Sequence, residues 1–399
     1  MVPTVNSPEK QVASSKRAGM STNGKVVDRV RDITASVIAP AAAEHDRAGE
    51  WPSSSIKALA DSGLLGLTVS EELGVLGLGP SDFVAAVEEL AKACASTAMI
   101  FVMHVCGTET IKQSALPRRD SVLSDIAAGK HLSTLAFSEK GSRSHFWAPV
   151  SRATEQDGFH VLNCQKSFVT SAGHANSYVV STLAVGATGM TESSLYYVEN
   201  GAAGFSVAGP WNGLGMRANA SAPMKLENSR VSPDSLLSPA GGGFGVMMAV
   251  ALPWFQLGSS AVANGIGRAA LDAAAGHLNG ARLEHLDVTL ASQPESRARL
   301  ASARVALDAS RALTADAARS VENPDDSTML RVLEVKACAS ETALDVTDKA
   351  MRLCGGAGFS KQLPVERYFR DARAGSVMAP TTDALYDFIG KAVLGLPLF

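Results

Sequence analysis

The side-chain periodicity of this chain changes twice, and the order of those changes restricts the fold more than any other feature. From Gly24 to about Gly129, apolar residues recur at helical spacing, as in Val26, Val30, Ile33, Val37 and Ile38. From His131 to about Gly241, short runs rich in β-branched and aromatic residues (159–170, 178–183, 195–198, and one within 221–237) are separated by Gly, Asn and Ser clusters. After Gly241 the helical period returns over 262–278, 300–318 and 328–352. Helices, strands and helices in blocks predict an α+β protein with segregated layers, not alternating βαβ units. The expected division is a disordered extension over 1–25, an N-terminal helical domain over 26–130, a middle antiparallel β domain over 131–241 and a C-terminal helical bundle over 242–399.

At 399 residues the chain can bury cores for two or three domains. A net charge of −3 gives no case for nucleic-acid or anionic-membrane binding. Five cysteines without CxxC spacing read as buried thiols in a reducing compartment, which suits a cytoplasmic enzyme and calls for no metal. No uninterrupted apolar run reaches about 18 residues, so no membrane span is expected. Residues 1–25 are rich in Ser, Lys, Pro and Asn, the composition of a disordered segment. Gly241–Gly245 reads GGGFG, which lacks the GxGxxG spacing of a dinucleotide loop.

The C-terminal run 351–387 carries the densest chemistry. Gly355 and Gly356 permit a close backbone approach to a ligand. Pro364 ends the preceding helix. Arg370 and Asp371 are placed to lock the segment to its surroundings by a fork-shaped ion pair. Thr381, Thr382 and Asp383 form an N-cap cluster before an apolar run, which aims backbone N–H groups at an anionic ligand.

This run resembles the C-terminal signature of the acyl-CoA dehydrogenase family, and matches in register extend over about residues 26–399. The resemblance implies FAD bound noncovalently, with one site shared between the subunits of a homodimer or homotetramer. Leu135 to Ser144 is similar to the family's flavin loop and puts Phe137, Ser138 and Ser144 at the flavin and the thioester. Arg143 and His145 depart from the usual glycine and aspartate. Lys166 to Ser171 resembles the strand packed on the flavin ring, with Phe168 as the aromatic and Thr170 near the ring edge. Arg282 and Gln293, then Arg352, Gly355 and Gly356, fall on positions that reach the diphosphate and adenosine across the interface, and Thr381 and Asp383 fall at the other end. The segment 213–217 is read as structural only.

Where the family carries a Glu-Gly-Thr turn with its α-proton base, this chain has Ala379-Pro380-Thr381. The alternative position, on the helix after the β domain, is Phe255, and a substrate-assisting arginine there is Gln256. Phe255, Gln256, Ala379 and Ser144 are therefore the expected substrate contacts. His104 and His145 are the candidates to replace the base, because an α-C–H thioester needs a positioned proton acceptor. The resemblance implies oxidation of an acyl thioester, on CoA or an acyl carrier protein, in specialised metabolism, with a flavoprotein or O₂ as electron acceptor. A flavin monooxygenase and a redox-neutral lyase on the same fold are the alternatives.

Overall fold

A computed structural model describes residues 22–73 and 76–398. The expected extension over 1–25 lies mostly outside these residues, and the chain is already helical at Thr22. The N-terminal layer comprises α1 (Thr22–Ile33), α2 (Ala39–Ala48), α3 (Ser53–Asp61), α4 (Pro80–Ala93), α5 (Ala95–Lys112) and α6 (Arg119–Ala127). Helix α5 is buried on nearly every side, as its largely apolar stretch from Ala98 to Gly107 requires. The N-cap of α4 is extended Gly79, and Pro80 takes the first helical position, where its missing N–H costs nothing.

The middle layer holds two sheets. One is four-stranded, in the order β2 (Thr154–Gln156), β3 (Phe159–Val169), β7 (Ala222–Val231), β6 (Phe205–Val207), and is antiparallel throughout. The other has the order β1 (Ser133–Ala136), β4 (Ser177–Leu183), β5 (Ser193–Glu199). Here the antiparallel expectation is corrected: β1 pairs parallel with β4, and only β4 and β5 are antiparallel. A parallel pair needs a crossover, and the loop and strands between Phe137 and Asn176 supply it.

The C-terminal layer starts with α7 (Gly243–Val246), which passes through a π-turn into α8 (Leu252–Gly280). A small hairpin, β8 (Arg282–Leu283) and β9 (Val288–Thr289), leads to α9 (Pro294–Glu322), α10 (Thr328–Phe359), α11 (Val365–Val377) and α12 (Thr382–Val393). The stretch Gly243–Gly280 is long and apolar enough to cross a membrane, but 72% of its apolar window is buried within the protein. One continuous apolar core joins α4, α5, α8 and α10 with β1 and β5, and a second fills the space between the sheets.

Candidate active site

The site is built first by a charge in the wrong place for a strand. In β3 the inward positions are Leu162, Cys164 and Lys166, and Lys166 is completely buried. A buried ammonium must find acceptors. Lys166 Nζ donates to Glu139 Oε1 at 2.6 Å, to Phe137 O and Ser181 Oγ at 3.3 Å, and to Ser181 O. Glu139 accepts in turn from Val150 N at 2.6 Å, Ser151 N at 2.8 Å and Ser151 Oγ. Burial alone would raise the Glu139 carboxyl, but Lys166 and the Ser151 hydrogen bonds outweigh it and hold it below the usual range. This pair pins the loop that starts at Phe137.

The same strand then breaks register between Lys166 and Val169. Ser167 N donates to Ser138 O at 2.8 Å, tying the bulge to the loop. Phe168 adopts a left-handed φ of 55° and is 70% exposed. An aromatic side chain held in that conformation with a free ring face is strain at a bulge, the pattern of a ligand platform. Trp211 packs edge-on against it. Buried Thr170 hydrogen-bonds the Ser221 hydroxyl at 3.0 Å.

The far wall comes from the C-terminal layer. Thr381 caps α12, its side chain accepting from Ala384 N. Ser144 Oγ donates to Thr381 Oγ1 at 2.9 Å, so the β-layer loop and the helix cap meet across 237 residues of sequence. Just before the cap, Met378 O and Pro380 O accept from Lys336 Nζ at 3.0 and 2.7 Å. Lys336 is completely buried on α10, and burial pulls its pKa down to about 7. It grips the turn that presents Ala379.

Arg370 does not pair with Asp371, as expected from their adjacency. Its guanidinium bonds Asp46 at 2.6 and 3.1 Å and Glu366 at 2.7 Å, which raises its pKa further despite burial. Asp371 instead accepts from Met216 N at 2.6 Å, and burial pushes its carboxyl up to about 6. Gly215 makes this closeness feasible, since a Cβ there would stand 2.4 Å from Arg370 O.

These parts enclose a cavity of about 1140 Å³. Phe137, Ser138, Ser144, Phe168, Thr170, Phe255, Ala379 and Thr381 all line it, as do Met99 and Met103 of α5. The segment read as structural only is corrected here, because Leu214, Gly215 and Met216 form part of the wall. Asn219 was not anticipated; it lines the cavity with a buried side-chain oxygen that has no partner.

Both base candidates are corrected by their placement. His104 is completely buried outside the lining, with Nε2 2.9 Å from Leu65 O and Nδ1 accepting from Ser133 N at 3.1 Å. Both nitrogens are committed to backbone, and burial lowers its pKa to about 4. His145 is exposed, outside the lining, and edge-on to Trp147. Gln256 is fully buried beside the cavity wall rather than in it, with neither amide atom partnered. Among the described residues, the one carboxylate in the lining is Glu139, whose oxygens are both engaged.

Arg282, Gln293, Arg352, Gly355, Gly356 and Asp383 lie outside this cavity. Arg282 is paired with Asp287 and Arg352 with Asp348. Gly355 breaks the helical backbone of α10 with φ 54° and ψ −135°. The end of α10 and the segment after the hairpin share one apolar cluster, in which Leu353 and Cys354 pack with Leu290 and Ala291. That cluster brings the Arg352–Gly356 end of α10 beside the segment that ends at Gln293, a second patch.

The cavity fits a flavin ring on its own residues. Phe168 offers a free aromatic face, the hydroxyls of Ser138, Ser144, Thr170 and Thr381 offer edge contacts, and the Asn219 oxygen lacks a donor. Its volume accommodates three fused rings and an acyl chain together.

Three family models match the chain: the acyl-CoA dehydrogenase N-terminal domain over residues 22–129, the middle domain over 134–229 and the C-terminal domain over 241–394. Cyclohex-1-ene-1-carbonyl-CoA dehydrogenase of Geobacter metallireducens is 30% identical over 375 residues, 92% of this chain and 97% of that one. The mitochondrial short-chain specific acyl-CoA dehydrogenase of Sus scrofa is 28% identical over 355 residues, covering 88% and 85%. Butyryl-CoA dehydrogenase from Megasphaera elsdenii superposes with a TM-score of 0.89 at 24% identity, over 95% of this chain and all of that one. The FAD complex of PigA gives 0.87 at 17% identity, over 96% and 100%.

Proposed function

This chain belongs to the acyl-CoA dehydrogenase family, and on that premise we propose that it is an FAD-dependent oxidoreductase that desaturates an acyl thioester without a carboxylate base at residue 379. The observation that carries this reading is the cavity in which Phe168, Ser138, Thr170, the Ser144–Thr381 contact and Ala379 converge. FAD, when bound, supplies a two-electron acceptor for a hydride leaving the substrate.

The chain's own residues then do four things. Phe168 supports one ring face, and Ser138, Ser144, Thr170 and Thr381 hydrogen-bond the edges of ring and thioester. Leu135, Met99, Met103 and Phe255 keep water from the acyl chain. Lys336 fixes the height of the 378–380 turn against α10. Glu139 holds the loop and takes no proton, because its lone pairs are spent. The second patch, with Arg282, Gln293, Arg352, Gly355 and Gly356, serves the diphosphate and adenosine of a cofactor in a second copy, which makes the working unit a homodimer or homotetramer. With no free carboxylate in the lining among the described residues, the substrate is one whose α-hydrogen is acidified by its own substituent, so that a weak proton acceptor suffices. Such substrates include hydroxylated or amino-substituted acyl groups on CoA or an acyl carrier protein in specialised metabolism. A flavoprotein acceptor or O₂ regenerates the oxidised state.

The second reading, a flavin monooxygenase, is favoured by the same lack of a free carboxylate among the described residues of the cavity. The fold is shared with FMN-bound TdsC from Paenibacillus, at a TM-score of 0.85 and 23% identity.

An anaerobic titration of the FAD-loaded protein with acyl-CoA and acyl-carrier thioesters separates the readings. Loss of the flavin's visible absorbance with one donor is expected. No bleaching by any donor, with fast reoxidation of chemically reduced flavin by O₂, refutes the oxidoreductase reading in favour of the monooxygenase.

A further inference from the structure

The charged residues of the cavity do not balance. Its lining contains Glu139, Lys140, Arg143, Arg370 and Arg373. Glu139 is neutralised by Lys166, and Arg370 by Asp46 and Glu366. Lys140 and Arg143 are exposed on the loop, where water or a passing phosphate solvates them. Arg373 is different. It is half-buried on α11, and among the described residues no carboxylate pairs with it. Its Nε is closed off from solvent and has no acceptor. The guanidinium sits over the Phe369 ring, with Cζ 4.2 Å from its centroid.

A guanidinium N–H withdrawn from water with no acceptor is costly, and proteins meet that cost with a planar anion. Nothing anionic stands on the segment that follows it, Ala374-Gly-Ser-Val-Met-Ala379. The wall between Arg373 and residue 379 is apolar, with Ala374, Val377 and Met378 all lining the cavity. An acyl chain suits that wall, and a charged end suits Arg373.

We infer that Arg373 is a specificity residue that receives a carboxylate carried by the acyl group, so that the substrate is a half-thioester of a dicarboxylic acid. This rests on the acyl-thioester reading above and narrows its substrate class. The carboxylate takes two parallel N–H donors in a fork, and the acyl methylenes run along Ala374, Val377 and Met378.

The test uses the FAD-loaded full-length protein and the perturbation of its flavin spectrum to read Kd. Succinyl-, glutaryl- and adipyl-CoA are compared with butyryl-, valeryl- and hexanoyl-CoA of matched length. At least one dicarboxylic member is expected to bind about tenfold or more tighter than its neutral counterpart, the usual worth of a charge-assisted fork. Arg373→Met is expected to bring that ratio below about threefold, and Arg373→Lys to keep part of it. The inference is overturned if the wild type shows no preference, or if the preference survives Arg373→Met. It is also overturned if both variants fold but purify without FAD, which would make Arg373 a cofactor contact. Flavin bleached by neutral thioesters without anionic preference removes this inference and leaves the oxidoreductase reading standing. Absence of binding and bleaching by every thioester removes both.

Discussion

Lys336→Met gives a sharp test of how the turn before α12 is held. Lys336 is completely buried and donates only to two backbone carbonyls, Met378 O at 3.0 Å and Pro380 O at 2.7 Å. Burial lowers its pKa from 10.5 to about 7. Between those values the unfolded chain keeps the proton and the folded chain releases it, so stability rises with pH. The slope is at most about 1.4 kcal/mol per pH unit, and the span of about 3.5 units totals roughly 5 kcal/mol. Below pH 7 both states are protonated and the penalty is constant. Methionine carries no proton and removes that penalty, but it strands two carbonyls at about 1–3 kcal/mol each. The two effects nearly offset at pH 7. By pH 9.5 only about 1.4 kcal/mol of the penalty is left in the wild type, and the lost hydrogen bonds dominate. The urea midpoints of wild type and variant at saturating FAD, measured at pH 7, 8 and 9, should therefore diverge, with the variant falling behind as pH rises. Parallel curves across that interval would show that Lys336 does not titrate there and would refute the reasoning.

Ala379→Glu places a carboxylate at the cavity wall, and a positioned base is worth about 10²–10⁴ in rate, so anaerobic flavin reduction by simple acyl-CoA should accelerate by that order. If the variant holds FAD and reduces no faster with any acyl-CoA, the cavity's shape and charge, not only its base, set the substrate. Glu139→Gln leaves Lys166 buried beside a neutral amide and should cost about 3–5 kcal/mol in urea unfolding. An unchanged midpoint would show that the Ser181 and Phe137 oxygens suffice. Asp371→Asn tests the opposite pH sign: the wild-type carboxyl has a folded pKa of about 6, above its ordinary 3.8, so its contribution is lost as pH rises through 4 to 6. Stability of wild type relative to the variant should fall by roughly 3 kcal/mol over that window, and a flat difference would refute the buried assignment.

The sequence disclosed the parts of this site that lie within short spacings. Ser138 and Ser144 share one loop, Phe168 and Thr170 one strand, and Thr381 precedes its helix, so each group could be read without knowing how they meet. Their convergence, with Ser144 donating to Thr381, is tertiary and has no local signal. The parallel pairing of β1 with β4 was hidden for the same reason, since periodicity reports which face is buried and not which neighbour is adjacent. The two histidines failed for opposite reasons: His104 is buried and satisfied by Leu65 and Ser133, residues far from it in sequence, and His145 is exposed outside the lining. Two lysines, however, did leave a trace. Lys166 occupies the inward phase of an alternating strand, after Leu162 and Cys164. Lys336 occupies the buried stripe of α10 that also holds Val332, Ser340, Ala343 and Thr347. A charge that keeps the phase of a core must have a partner inside it, because an unpaired buried ammonium would cost more than the surrounding apolar contacts return. Phase-matched lysines therefore locate the braced loop and the braced turn on either side of the cavity, whereas Arg373, half-buried and outside the core phase of α11, is a lining cation with no carboxylate partner among the described residues.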